Sequence, residues 1–238
     1  MIVASAKGVS ISGLIFDAGA RNSPVLLQVG FGHARSDRDA ADPTALHDVF
    51  FRIGGAAAGS ALTSLVVNSD NVILDDIWAW RADHGAGVGW TSNTADTGVI
   101  VNGDNVTAYG LFVEHYQKYE VIWNGNNGVD IFFQNEMPYD PPNQAAWMNG
   151  SMDGYAAFKV ADNVTTFQGW GMGSYCFFNV GPDVNAYHAF ETPTTPGVQF
   201  HDLLTVFLNG YGGIDHVIND TGARAQRGNS PVDLVTYP

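Results

Sequence analysis

One phrase recurs along this chain and limits what it can fold into: a short β-rich run, a polar turn ending in asparagine, then a second apolar, β-branched run. It reads "LTSLVVNSDNVILDDIWAW" from Leu62, "TGVIVNGDNVTAYGLFVEH" from Thr97, "YEVIWNGNNGVDIFFQNEM" from Tyr119 and "YAAFKVADNVTTFQGWGMG" from Tyr155, with a degenerate earlier copy in "SAKGVSISGLIFDAG". The turn asparagines are Asn71, Asn105, Asn127 and Asn163. Asparagine tolerates left-handed backbone and bonds to nearby main chain, so it suits a sharp bend between two strands. Like amides in stacked copies would form ladders.

Counted from the residue after each turn, Val72 to Val106 is 34 positions, Val106 to Val129 is 23 and Val129 to Val164 is 35. Loose spacing of this kind suits a β-solenoid with loops of unequal length. The pattern predicts an all-β, single-stranded, right-handed parallel β-helix over residues 1–238, one domain. A β-sandwich or jelly roll is the alternative, but it would show hairpin signals at short regular spacing instead of this refrain. The alternating start "IVASAKGVSISGLIFDAG" reads as strand, with no basic–apolar–small leader pattern, so the chain has the look of a fragment of a longer protein.

Composition narrows the partners. A formal net charge of −14 with only ten Lys and Arg repels nucleic acid and anionic membrane surfaces, and disfavours a polyanionic sugar. No run is long and apolar enough to cross a bilayer. Cys176, the one cysteine, excludes an internal disulfide and sits in the apolar run "YCFF", where an inert buried thiol is expected. Asp37, Asp39 and Asp42 offer oxygen ligands without the spacing of a calcium loop, so calcium is only weakly signalled and no cofactor is expected.

Overlaying the copies predicts spatial neighbours, because stacked strands lie about 4.8 Å apart. Eight residues past Val72 is Trp80, eight past Val106 is Glu114, and seven past Val129 is Glu136. All three end a second strand where a loop departs. Carboxyls among aromatics are the material of glycoside hydrolysis, in which one acid donates a proton and another orients water or attacks carbon. Glu136 is the candidate general acid, Glu114 its partner and Asp83 a third carboxyl. Trp80, His84, Trp90, His115, Tyr116, Trp123, Tyr139 and Trp147 are candidate sugar contacts, and Trp78 and Trp170 could also offer flat faces to sugar rings. The bland alternatives are that the acids are solubilising, the histidines are structural, and at least half of the tryptophans fill the core.

The segment from "NSDNVILDDIWAW" through "VIWNGNNGVDIFFQNEMPYDPP", with "GYAAFKVAD", "GMGSY" and "FHDLLTVFLNG" beyond it, resembles secreted actinomycete proteins labelled coagulation factor 5/8 type (discoidin) domain proteins. These are similar in architecture to pectate-lyase-like proteins and, more distantly, to glycoside hydrolase family 55, whose members cut β-1,3-glucan. The resemblance implies an extracellular role on a neutral polysaccharide or oligosaccharide. Family 55 enzymes use a glutamic acid as proton donor and are built from two β-helices, whereas this chain has length for one. Two other readings stand beside the hydrolase: a non-catalytic carbohydrate-binding module, and a polysaccharide lyase drawing on Arg81 or Lys118 as base.

Overall fold

The computed structural model describes residues 1–3, 8–31 and 40–238. Asp37 and Asp39 lie outside the described residues, and Asp42 is exposed. The fold is all-β, with two large sheets between which the chain alternates. In a nine-stranded sheet lie β1 (Ile2–Val3), β3 (Ser23–Val29), β5 (Ala61–Val67), β7 (Thr97–Val101), β9 (Val121–Trp123), β13 (Phe158–Val160), β15 (Asn185–Glu191), β17 (Gly213–Ile218) and β18 (Ala225–Gln226). The eight-stranded sheet holds β2 (Ser10–Asp17), β4 (Thr44–Ile53), β6 (Val72–Arg81), β8 (Thr107–Glu114), β10 (Gly128–Glu136), β14 (Phe167–Cys176), β16 (Val198–Phe207) and β19 (Val232–Tyr237). A small antiparallel pair, β11 (Met148–Asn149) and β12 (Met152–Asp153), decorates a loop. Pairing is parallel within both large sheets except that β18 and β19 close one edge antiparallel, so the sheets are mixed and not wholly parallel as expected.

Asparagine ladders form at the bends. Asn105 Nδ2 donates to Asn71 Oδ1 at 3.2 Å and Asn127 Nδ2 to Asn105 Oδ1 at 3.1 Å, and all three residues have φ near +55°. A parallel ladder joins Asn68, Asn102 and Asn124 at 2.7 Å per step. Gly103 and Gly125 lie where successive bends stack, and a Cβ on either would overlap the carbonyl of the preceding bend. Asn163 does not continue the ladder. Thr165 and Thr166 take that place, with Thr166 Oγ1 donating to Asn127 Oδ1 at 2.8 Å. The fourth copy is therefore displaced from the expected alignment, since Gln168 and not Val164 lies opposite Val129. Val129 itself pairs with Thr107, one residue off the expected Val106.

Side-chain rows run across the strands into the core between the sheets. One such row, in the nine-stranded sheet, is Leu65, Val99, Val121, Phe158, Phe190 and Ile218. In the eight-stranded sheet a second feature intervenes. Gly13, Asp48, Asp76, Gly110, Phe132, Gly171 and Asp202 all have φ between +50° and +71° and lie opposite one another, one in each parallel strand. A left-handed residue bends its strand and shifts the in–out alternation by one position. Val72 and Leu74 point inward before Asp76, and Ile77, Ala79 and Arg81 point inward after it. The shift leaves Trp78, Trp80, Glu114 and Glu136 on the outer surface.

Candidate active site

Glu114 and Glu136 end β8 and β10, adjacent strands, and face outward beyond the bend. The two strands stay in register to the end, for the His115 amide donates to the Glu136 carbonyl at 2.8 Å. Trp80 pairs with Glu114 on the other side. The three expected neighbours therefore stand in one row.

Each carboxyl is braced. Trp78 Nε1 donates to Glu114 Oε2 at 2.9 Å, and nearby Gln134 also favours the ionised form of this carboxyl. The Tyr139 hydroxyl donates to Glu136 Oε2. His115, almost fully buried, has Nε2 3.7 Å from Glu136 Oε2 and 3.8 Å from Asp83 Oδ1, so it stands between two carboxylates. Its Nδ1 lies 3.2 Å from the Met137 carbonyl. The ring of Tyr139 packs edge-on against His115 at 4.4 Å. His84 Nδ1 meets Asp83 Oδ1 at 2.8 Å, and the His84 ring lies 5.1 Å from Trp80, which itself stacks on Trp78 at 5.4 Å.

Beneath this surface, a buried arginine ties the loops together. Arg81 grips Asp140 through two bonds of 2.9 Å and donates to the carbonyls of Asn93, His115 and Gly89. Its guanidinium also lies 5.7 Å from the centre of the partly buried Trp90 ring. A buried cation with five such acceptors is fully paired and fixes the loops after β6 and β10 against one another. Lys118 is engaged at the surface with Asp96 at 2.7 Å. Neither cation is free to act as a lyase base, which removes the observation that favoured that reading.

Electrostatics separates the carboxyls. Burial lifts the Glu114 carboxyl above the ordinary glutamate range, and the negative charge of Glu136 lifts it further against the Trp78 hydrogen bond. Burial pushes Asp83 up as well, but His115, the His84 hydrogen bond and its own amide outweigh this and hold it below the ordinary value. His115 is lowered by burial, opposed by Asp83. The Tyr139 hydroxyl is raised by burial and by its bond to Glu136, so it remains a donor.

Four of the expected sugar contacts are corrected, the first being His115, buried between the two carboxylates. Tyr116 is buried, with its hydroxyl 2.5 Å from Ser64 Oγ. Trp123 is fully buried on the inward side of β9, packed on Phe158 and Phe167. Trp147 lies under its loop against Phe178, with Nε1 donating to the Gln117 carbonyl. None can offer a face to a ligand. Trp80, His84 and Tyr139 remain at the surface beside the carboxyls, and Trp90 is half-covered by its loop. Gln134, Phe50 and Phe112 were missed by the sequence reading: Gln134 favours the ionised form of Glu114, and Phe50, Asp76, Trp78, Phe112 and Glu114 line a groove of about 280 Å³. Trp78, expected among the indoles able to face a sugar, shares the outer side with Trp80 through the Trp-x-Trp spacing of β6.

Known proteins share this fold. Over 237 residues, 99% of its length, the chain is 56% identical to an exo-β-1,3-glucanase of Streptomyces sp. (strain SirexAA-E / ActE), of which the match covers 39%. The solved structure of sacteLam55A from Streptomyces sp. SirexAA-E matches with a TM-score of 0.96 and 55% identity, covering 100% of this chain and 43% of that one. A variant of sacteLam55A in complex with glucose matches with a TM-score of 0.97. The chain thus spans about two-fifths of the length of these relatives. Residues 1–136 match the LAM55 pectate lyase-like domain, and the chain belongs to that family.

Proposed function

We propose that this chain is the catalytic β-helix of a secreted glycoside hydrolase acting on a β-1,3-glucan, with Glu136 and Glu114 as its acid–base pair. The winding is that of a single-stranded right-handed solenoid, and kinship with the discoidin-labelled actinomycete proteins belongs to the same reading. The observation that carries it is the pair of outward carboxyls on adjacent strands, each held by a hydrogen-bond donor and flanked by exposed indoles. Identity to an exo-β-1,3-glucanase supports the choice of sugar.

In this reading Glu136 hands its proton to the glycosidic oxygen as the bond breaks. Tyr139 then donates to the carboxylate that is left and stabilises it. Glu114 is the second carboxyl, which acts on the opposite side of the reacting centre. His115 and Asp83 extend the proton-holding network away from the substrate. Trp78 and Trp80 give an apolar platform for the sugar rings. One observation favours exchanging the two roles: burial and the neighbouring charge lift Glu114, which makes it the easier carboxyl to keep protonated.

Variants settle the roles. An aryl β-glucoside with an acidic leaving group needs little proton donation, so the variant that removes the general acid keeps turnover on it while losing turnover on glucan. Glu136→Gln is expected to show this split and Glu114→Gln to lose both. Reversal would exchange the assignments, and full activity of both variants would end the proposal. Saturable glucan binding by a protein with no glucan turnover would mark it as a binding module.

A further inference from the structure

On the nine-stranded sheet a groove of about 500 Å³ crosses β15 and β17. Tyr187, His188, Glu191, Thr192, Asn219 and Asp220 line it. Its polar groups are set in advance. Lys159 bonds to Glu191 Oε1 at 2.5 Å and the Tyr187 hydroxyl to Asp220 Oδ1 at 2.8 Å. Asn219 is fixed by the Thr192 backbone in both directions, at 3.0 and 2.9 Å, and by the Tyr237 hydroxyl.

One group in this wall has no hydrogen bond. His188 is only 4% exposed, and neither ring nitrogen makes a hydrogen bond. Its Nε2 comes within 3.8 Å of Glu191 Oε2, close enough to feel the charge and too far to bond. A buried imidazole without hydrogen bonds is destabilising, and His188 belongs to the wall of a groove, so a molecule that enters the groove can supply what the ring lacks.

The lining decides the chemistry of that ligand. No lysine or arginine lines the groove, whereas Asp162, Glu191 and Asp220 do, which excludes an anion. Among the described residues no group of three ligating side chains could hold a metal ion. An apolar ligand would leave His188 and the carboxylates unsatisfied. A neutral polyol meets every requirement: its hydroxyls donate to carboxylates, both donate to and accept from an imidazole, and the half-buried Tyr187 ring offers a face for its C–H surface.

We propose that this groove is a second saccharide-binding site, one that holds a neutral glucan chain without cutting it. The choice of β-1,3-linked glucose rests on the reading of the carboxylate pair, and the two ideas fail separately. The test uses ¹⁵N-histidine-labelled protein carrying Glu136→Gln, titrated with a β-1,3-linked tetrasaccharide of glucose. The His188 ring signal is expected to move and saturate. Thr194, exposed at the rim of the groove, can be replaced without touching the core, and Thr194→Trp is expected to weaken the response about ten-fold, the loss of one or two hydrogen bonds. The same substitution beside an intact Glu136 is expected to leave turnover of a short glucan unchanged. A His188 signal that stays still while the sugar saturates other histidines overturns the proposal, as does one that moves equally in Thr194→Trp or answers only to added Ca²⁺. A moving His188 signal in a protein with no glucan turnover would sink the catalytic reading and leave this one standing.

Discussion

The two large sheets are built from the same alternating strands and do different things with them. No residue inside the parallel strands of the nine-stranded sheet has positive φ, and its inward rows run unbroken from strand to strand. Every parallel strand of the eight-stranded sheet carries one left-handed residue, and beyond it the sides exchange. The electrostatics differ in the same way. Glu191, on the unbroken sheet, faces burial that would raise it, but the His188 contact and the Lys159 ammonium more than reverse this and hold it at about 2. Glu114, on the bent sheet, accepts a hydrogen bond from neutral Trp78, has no cation among the described residues beside it to pin it, and stays raised. One glutamate is pinned as an ion by a cation, the other is left able to take a proton. The raised carboxyl of Glu114 stands where the regular pattern is broken, and the lowered one of Glu191 where it is kept.

The largest test of that contrast is on turnover. Glu136→Gln should lower release of reducing ends from β-1,3-glucan by about 10³-fold, within the range for loss of a positioned acid, while Lys159→Met should leave it unchanged. Comparable losses in both would show that the bent flank has no special standing. Stability should answer in the opposite sense. Lys159→Met strands Glu191, whose side chain is 23% exposed, and should lower the free energy of urea unfolding by about 2 kcal/mol. Glu136→Gln should change it by less than about 0.5 kcal/mol.

A smaller effect tests the bend itself. Gly110 has φ +64°, and a Cβ there would meet nothing closer than 3.4 Å, so Gly110→Ala reports the cost of left-handed backbone with little steric addition. A loss of about 1 kcal/mol is expected. Phe132, its neighbour in the row at φ +71°, is a bulky residue in the same conformation, and Phe132→Gly should raise stability by a similar amount. Equal and trivial effects at both positions would mean that the bend stores no strain.

The first bend was legible because asparagine announces it: Asn71, Asn105 and Asn127 are left-handed residues of the type that the conformation prefers. The second bend was not, since Gly13, Asp48, Asp76, Gly110, Phe132, Gly171 and Asp202 share no identity that a repeat search could follow. Glu114 and Glu136 were placed together because their overlay had the true register, although Val129 was aligned one residue out. The aromatics were harder to sort. Hydrophobicity is the same for Trp78 and Trp123, and only the face to which each strand turns them puts one at the surface and the other in the core. Tyr116 and Trp147 lie in or beside loops, where no alternation exists to be read.

Acid and alkali should separate the two glutamates by sign. Glu191 has a folded value of about 2 against an ordinary 4.5, so its contribution is present above 4.5 and is lost as pH falls toward 2. Partial exposure limits this to the order of 1 kcal/mol. Glu114 is raised above the same 4.5, so what it contributes is present below that value and is lost as pH climbs through the raised one. Urea midpoints measured across this range should therefore lose part of their acid-side fall in Glu191→Gln and part of their alkaline-side fall in Glu114→Gln. Buried Asp130 and Glu120 are raised too and add to the alkaline side, which makes the Glu114 share the smallest effect of all. Both variants flattening the same limb would mean that the two flanks do not differ in charge state, and the distinction between a pinned ion and a proton carrier would go with it.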